Sequence, residues 1–359
     1  MNNPYSQLPK YTKWNYSVSN SSFDKVDPIV SFPFKIKRGD RIATAGSCFA
    51  QHIAKNLVKS GFNYYIAELP HPIIEPFALD FGYGTFSARY GNIYSSRHLL
   101  QLIQRSFDLF KSIDDGWIGK GGEILDPFRP NIQPGGFISK QELLQDQKIH
   151  LEATRTMFLN LDYFIFTLGL TECWINKTDG TVYPICPGIY GGEFNPQLHQ
   201  FVNLGSEDVT HDLMEFYSLL KEVNPKAKLI LTVSPVPLAA TAENRHILIS
   251  NSLSKSVLRV AAENMMRHDS SVAYFPSYEI ISSSYNCGQY YEKNMRDVSA
   301  EGVSKVMNLF FKHATLDQAN YDGEINRIGT DSSKNNESLL KALAASLKIE
   351  CDDEMLGHQ

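Results

Sequence analysis

The chain has 359 residues, 43% of them hydrophobic, enough for a full core and unlike a disordered composition. Its formal charge of -5 gives no electrostatic footprint for nucleic acid or an anionic membrane surface. No run approaches the roughly 18 apolar residues of a spanning helix, the opening MNNPYSQLPKYTKWNYS lacks a secretion-signal pattern, and five widely spaced cysteines without a CxxC pair speak against a disulfide framework or zinc and for a reducing cytoplasm.

Residues 1–38 are polar, aromatic and aperiodic, and are expected to form an arm along the domain. Arg41–Ala45 reads as the first strand. Gly46-Ser47 follows, and then a helix with Phe49, Ile53, Ala54 and Leu57 on one stripe, closing near Ser60-Gly61. Phe62–Ile66 predicts a second strand. Residues 68–96 form a long Gly-, Pro- and aromatic-rich loop, 97–111 a helix, 112–137 an irregular stretch and 139–159 a helix. Tyr163–Leu168 is a continuous apolar run, the pattern of a parallel strand covered on both faces. After a Gly/Pro-rich insertion at 173–205 come a helix at 207–222, a strand at 228–233, a helix at 249–267, a strand at 272–275 and a helix at 299–313 with Ser299 as N-cap. The remainder is polar, with one short helical stretch at LLKALAASL.

This alternation implies an α/β three-layer sandwich around a parallel sheet of about five strands, with long loop insertions. The expected organisation is an arm over 1–38, the domain over 39–314 and a loosely attached tail over 315–359.

In such sheets ligands bind beyond the carboxyl ends of the strands. Those ends are Gly46-Ser47, Gly169–Glu172, Ser234–Pro237 and Pro276–Glu279. Ser47, between strand and helix, is either a helix cap or a nucleophile beside free backbone N–H donors. Cys48 reads as core rather than as a thiol nucleophile. Arg89, Arg129, Arg245 and Arg296 are candidate anion binders or surface ion pairs. Aromatic loop residues such as Trp174 could stack on a sugar or anchor their loops.

Gly46-Ser47-Cys48-Phe49-Ala50 is the namesake string of the GSCFA-domain family, relatives of SGNH/GDSL hydrolases. FALDFGYGTFSARYGNIY (77–94), TLGLTECW (167–174), TVSPVPL (232–238), Ser254-Lys255-Ser256 and YFPSYEI (274–280) also resemble that family, so the likeness spans about residues 40–312. It implies a flavodoxin-like SGNH fold with ester chemistry at Ser47. An SGNH site uses serine, glycine and asparagine donors for the oxyanion and a histidine base preceded by an aspartate. The resemblance assigns the donor roles to Ser47, to Gly82 or Gly84, and to Thr171 or Asn92, since the expected asparagine is absent from Gly169–Glu172. The Asp-x-x-His block is also absent: its place reads Asn294-Met295-Arg296-Asp297-Val298.

Among ten histidines, His246 is the first candidate base because it follows a rim strand; otherwise it caps or packs against the following helix. His71 and His199 rank behind it, and His52 reads as a surface or packing residue. Glu172 or Asp297 would orient the base, with Glu279 a further acid. The predicted function is a serine esterase or O-acetyltransferase acting on an acylated sugar or polysaccharide precursor. It needs no cofactor or metal, and acetyl-CoA would serve as donor for transfer. A small-molecule or saccharide substrate would bind near Arg89, Arg245 and Trp174. The rival is a catalytically silent module binding a glycan or protein. Neither nucleic acid nor a membrane span is expected, and oligomeric state is left open.

Overall fold

The computed structural model describes residues 3–316, 334–346 and the single positions 349, 352 and 356. In chain order β1 (Ile42–Gly46) leads into α1 (Phe49–Lys59), followed by α2 (Ser96–Ser106), the hairpin β2 (Trp117–Ile118) and β3 (Ile124–Leu125), and α3 (Lys140–Asn160). Then come β4 (Tyr163–Leu168), β5 (Glu172–Asn176), β6 (Val182–Tyr183), β7 (His199–Asn203), α4 (Ser206–Val223) and β8 (Lys228–Val233). The order closes with α5 (Ile247–His268), β9 (Val272–Tyr274), α6 (Ser277–Ser282), α7 (Ala300–Ala314) and α8 (Lys334–Ala345).

The central sheet is parallel, four-stranded and ordered β1-β4-β8-β9. The expected fifth strand at 62–66 shrinks to a single parallel bridge, Ile42 to Tyr64, flanked by the Ile42–Asn63 and Tyr65–Ile42 backbone bonds. That segment lies beside β1, so the spatial order is that of a flavodoxin-like sheet with its edge strand reduced to one bridge.

Side chains alternate across the sheet as the period-two rule requires. Ile42, Ile165, Ile230 and Ala273 face one core with Phe49, Ile53 and Leu57 of α1 and Val306 and Phe310 of α7. Ala43, Phe164, Phe166, Leu229 and Leu231 face the other core, against Leu99 and Ile103 of α2, Phe158 of α3, Phe216 of α4 and Leu258 of α5. Both faces of β1 and β4 are buried, which is why these strands read as continuous apolar runs. Two helix starts match the sequence closely. Ser139 Oγ accepts the Glu142 N–H at 3.1 Å, and Ser299 Oγ accepts the Gly302 N–H at 3.2 Å.

The two insertions hold more order than their composition suggests. Residues 172–203 form a three-stranded antiparallel sheet, β6-β5-β7, and 117–125 form the β2-β3 hairpin. A largely buried charge network ties the 126–129 turn to the 68–89 loop and α3. Glu68 Oε2 accepts the Arg89 N–H at 2.7 Å and meets His150 Nδ1 at 2.8 Å. Arg89 and Arg129 both bond to Asp146, and Arg129 also pairs with Asp126 at 2.7 Å.

At the chain start, Ile36 bridges to Thr315, and Asp27 pairs with Lys312 and His313 of α7. The expected helical stretch in the tail is α8, whose Leu339, Leu340 and Leu343 are buried in the α1/α7 core. Most of the rest of 315–359, expected to be loosely attached, lies outside the described residues. Among the described residues no helix is long and apolar enough to cross a membrane, and no cluster of His, Cys, Asp and Glu could hold a metal.

Candidate active site at the end of the first strand

The site begins with a crowded strand end. Gly46 adopts φ +140°, and a Cβ there would lie 2.4 Å from the Thr167 carbonyl oxygen. Only glycine lets β1 pass this close to β4 in that conformation. Ser47 comes next and donates its N–H to the Thr167 carbonyl at 3.3 Å. The chain then turns into α1, with Cys48 at the N-cap position and no side-chain cap on the helix. Ser47 is therefore not a capping serine. The residue is 4% exposed, and its Oγ is a buried hydroxyl without a hydrogen-bond partner among the described residues. Leaving such a group unpaired costs about 1–3 kcal/mol, and exceptions of this kind in native structures call for an explanation.

A cleft of about 250 Å³, including space open to solvent, is lined by Ser47, Cys48, Tyr94, Gly169, Leu170, Ser234 and Val236–Leu238. It sits where the carboxyl ends of β1, β4 and β8 meet. The Tyr94 carbonyl accepts N–H bonds from both Gly169 and Leu170 at 3.1 Å, and the Ile93 N–H reaches Gly46 O at 2.9 Å. The loop after residue 90 thus closes one wall. Gly169 has no room for a side chain, because a Cβ there would stand 3.1 Å from Ser47 Cβ and 3.0 Å from the Tyr94 carbonyl. Beneath this turn lies Lys255 of α5, 1% exposed, whose Nζ donates to the Gly169 carbonyl at 2.7 Å. Ser234 closes the β8 side, with its Oγ accepting the Val236 N–H at 3.3 Å.

A strand, a Gly-Ser corner that opens a helix, and a cleft over neighbouring strand ends are thus built from the residues that carried the resemblance. The GSCFA family profile matches residues 41–310, three quarters of the chain. The chain belongs to the GSCFA family. No curated protein matches it. Among solved structures, it is similar to a carbohydrate esterase family 3 protein from Talaromyces cellulolyticus, with 11% identity and a TM-score of 0.26. That match covers 62% of this chain and 89% of the other. An acetyl xylan esterase from the rumen bacterium Butyrivibrio proteoclasticus shows 13% identity over 67% of this chain and 56% of its own, with a TM-score of 0.23.

Within this GSCFA chain the other expected site residues are dispersed. His246 is exposed at the N-cap of α5, where its Nδ1 accepts the Leu248 N–H at 3.2 Å, and it does not line the Ser47 cleft. His71 accepts the Ile73 N–H in an exposed turn. His199 accepts the Asn195 N–H and packs against Tyr183 and Phe194. His52 packs on Phe49, and burial first, then Lys55 and Lys59, push its imidazole down to about 4. Asp297 is exposed in a turn, accepting Asn294 Nδ2 at 2.7 Å. Glu172 accepts Thr241 Oγ1 at 2.6 Å and the Ala242 N–H at 3.2 Å, which fastens the loop before His246, and burial raises its carboxyl. Glu279 pairs with Arg259 and accepts the Tyr274 hydroxyl.

The expected oxyanion donors are likewise engaged elsewhere. Gly84 packs under Leu339 of α8, and Gly82 sits against Ile132. Thr171 Oγ1 donates to Asn203 Oδ1 at 2.7 Å and lies 3.1 Å from Ser254 Oγ. Asn92 Nδ2 donates to Asp352. The anion-binding expectation for Arg89 and Arg129 is corrected outright: both are 3% exposed and serve the internal charge network. Arg245 pairs with Glu243 at 3.4 Å at the surface. Trp174 is packed between Phe194 and Phe201 in the three-stranded sheet, an anchor rather than a sugar platform.

Lys255 is the residue that sequence reasoning passed over. Its signal was present: it sits on the stripe of Ser254, Leu258, Ala261, Ala262 and Met265 that α5 buries. A lysine on a buried stripe is rare without a specific partner.

Proposed function

We propose that this GSCFA protein carries out serine-based acyl chemistry, hydrolysing or transferring an O-acyl group on a saccharide, with Ser47 as nucleophile. The observation that carries this reading is the buried, unpartnered Ser47 Oγ at the floor of a cleft over the strand ends. A hydroxyl in that state is held ready for a group that the resting protein does not supply. The start of α1, whose N-cap contributes no side-chain bond, brings backbone N–H groups and the positive end of the helix dipole to the same place.

Because no histidine among the described residues lines the cleft, the proton-accepting role goes to Lys255, whose amine is anchored on the turn that abuts Ser47. Serine–lysine pairs perform acyl transfer on unrelated folds. As Ser47 Oγ attacks the acyl carbonyl its proton passes to the lysine amine. The resulting ammonium returns that proton to the departing sugar oxygen, leaving an acyl-serine that water or an alcohol resolves. Ser47 Oγ and Lys255 Nζ are not hydrogen-bonded at rest, and catalytic hydrogen bonds often form only with substrate bound.

The test is release of acetate from an O-acetylated oligosaccharide and from 4-nitrophenyl acetate, and of CoA from acetyl-CoA with a sugar acceptor. Ser47→Ala and Lys255→Met are expected to lose at least 100-fold in kcat, while His246→Ala keeps its rate. Full activity in Ser47→Ala would end this reading. A silent binding module is favoured by one observation, the Asn294–Asp297 turn standing where a catalytic histidine would be. That reading requires no turnover on any of these substrates and unchanged glycan binding in Ser47→Ala.

A further inference from the structure

A second, larger cleft is lined by Gly91 and Asn92, close in the chain to the Tyr94 that lines the Ser47 cleft. It has about 490 Å³ of space, including that open to solvent, and its walls include Gln51, Asn92, Phe128, Arg129, Asn131 and Ile132. Among the described residues of the C-terminal segment, Asp352 enters it. Each carboxylate oxygen of Asp352 accepts one amide bond, Oδ2 from Asn92 Nδ2 and Oδ1 from Asn131 Nδ2, both at 2.9 Å. The backbone of the same residue is read as well: its N–H donates to the Tyr94 hydroxyl at 3.0 Å, and its carbonyl accepts the Tyr190 hydroxyl at 3.2 Å. Asn92 is itself oriented, since its Oδ1 accepts Gln51 Nε2 at 3.3 Å.

What marks this cleft as a ligand site is its donor set. Arg129 on the wall is tied to Asp126 and Asp146, and two neutral amides, those of Asn92 and Asn131, donate to the carboxylate. Around them stand two phenol hydroxyls able to donate or accept. We propose that this cleft is a binding site for a carboxylated sugar, a hexuronate, and that Asp352 occupies it as an internal competitor.

A hexuronate carries the same pattern as the bound aspartate. Its carboxylate matches the two asparagine amides. Its O4 hydroxyl, the same number of bonds from the carboxyl carbon as the aspartate nitrogen, matches the Tyr94 hydroxyl. Tyr94 also ties the two clefts together, because its carbonyl holds the Gly169–Leu170 turn beside Ser47. A sugar bound here would place its neighbouring residues toward the serine. This link rests on the acyl-chemistry reading of Ser47, whereas binding itself does not. A tethered competitor acts at an effective concentration on the order of millimolar, so the intact chain should bind a free uronate weakly.

The experiment is titration of the full-length protein with D-glucuronate by calorimetry and ligand-observed NMR, with D-glucose and an N-acetyl-aspartate methylamide as comparison probes. Asp352→Ala is expected to bind glucuronate at least tenfold more tightly than the wild type and to ignore glucose. The double variant Asp352→Ala/Asn131→Ala is expected to lose that gain. Equal glucuronate affinity in wild type and Asp352→Ala, or no binding by either, would overturn the proposal. Binding of the aspartate mimic without glucuronate would overturn the sugar assignment and leave a site that reads only the chain's own tail. Ser47 labelling is independent of all these outcomes, so failure here is distinct from failure of the acyl chemistry.

Discussion

Ser47, Gly46 and Gly169 form a contact in which every missing atom matters. At Gly169 an added methyl would press on Ser47 Cβ and the Tyr94 carbonyl together. Overpacking of this kind costs about 1–3 kcal/mol and moves backbone. Gly169→Ala is therefore expected to keep its fold, by circular dichroism, and to lose at least tenfold in the rate at which Ser47 is acylated. An unchanged rate would mean that the turn after β4 has no part in shaping the serine's surroundings. At this scale the sequence was half legible. Ser47 could be found because a Gly-Ser corner between an apolar strand and an amphipathic helix is a local pattern. Lys255 shows in the sequence only as a lysine on a buried stripe, because its partner depends on α5 passing beneath a turn 86 residues earlier in the chain. Arg89 misled for the same reason: a loop arginine looks solvent-facing until the loop folds over Glu68 and Asp146.

Elements with their own start signals were the most legible. Ser139 and Ser299 cap α3 and α7 where local chemistry says they should. The Ser139 cap is expected to contribute about 1 kcal/mol. Ser139→Ala should lower the thermal midpoint by roughly 2 °C, with Ser139→Asp restoring it; a midpoint unchanged in the alanine variant would show that the helix is held by packing alone. The short strands of the Gly/Pro-rich insertion at 173–205 are hidden by its turns, and its longest ladder closes only across a long gap, as in Glu172 with Asn203. The second strand was over-read in the opposite sense. Its apolar alternation is real, with Phe62, Tyr64 and Ile66 buried, but only Tyr64 bridges to β1.

For the whole molecule, the buried charge network sets how stability follows pH. Burial by itself would raise the Glu68 carboxyl; His150 beside it, then Arg129 and Arg89, outweigh that and hold it down at about 2. Folded Glu68 therefore binds its proton less readily than the unfolded chain, and the network's contribution is present above the ordinary carboxylate range. That contribution, roughly 3 kcal/mol for Glu68, is lost as pH falls from about 4.5 towards 2. Asp126 and Asp146 are lowered too and act in the same sense. Urea midpoints of the wild type should drop steeply over this interval, and those of Glu68→Gln should be lower at pH 7 with a flatter acid limb. Parallel acid limbs in the two proteins would remove Glu68 from this role.

The account as a whole depends on whether Ser47 is chemically activated. The most direct measurement is covalent capture: incubate the full-length protein with a fluorophosphonate and locate any adduct by peptide mass spectrometry, alongside Ser47→Ala, Lys255→Met and His246→Ala. The account predicts an adduct on Ser47 in the wild type and in His246→Ala, and none in Ser47→Ala or Lys255→Met. Wild-type protein that stays unlabelled across the pH range, or is labelled on a different residue, would contradict it.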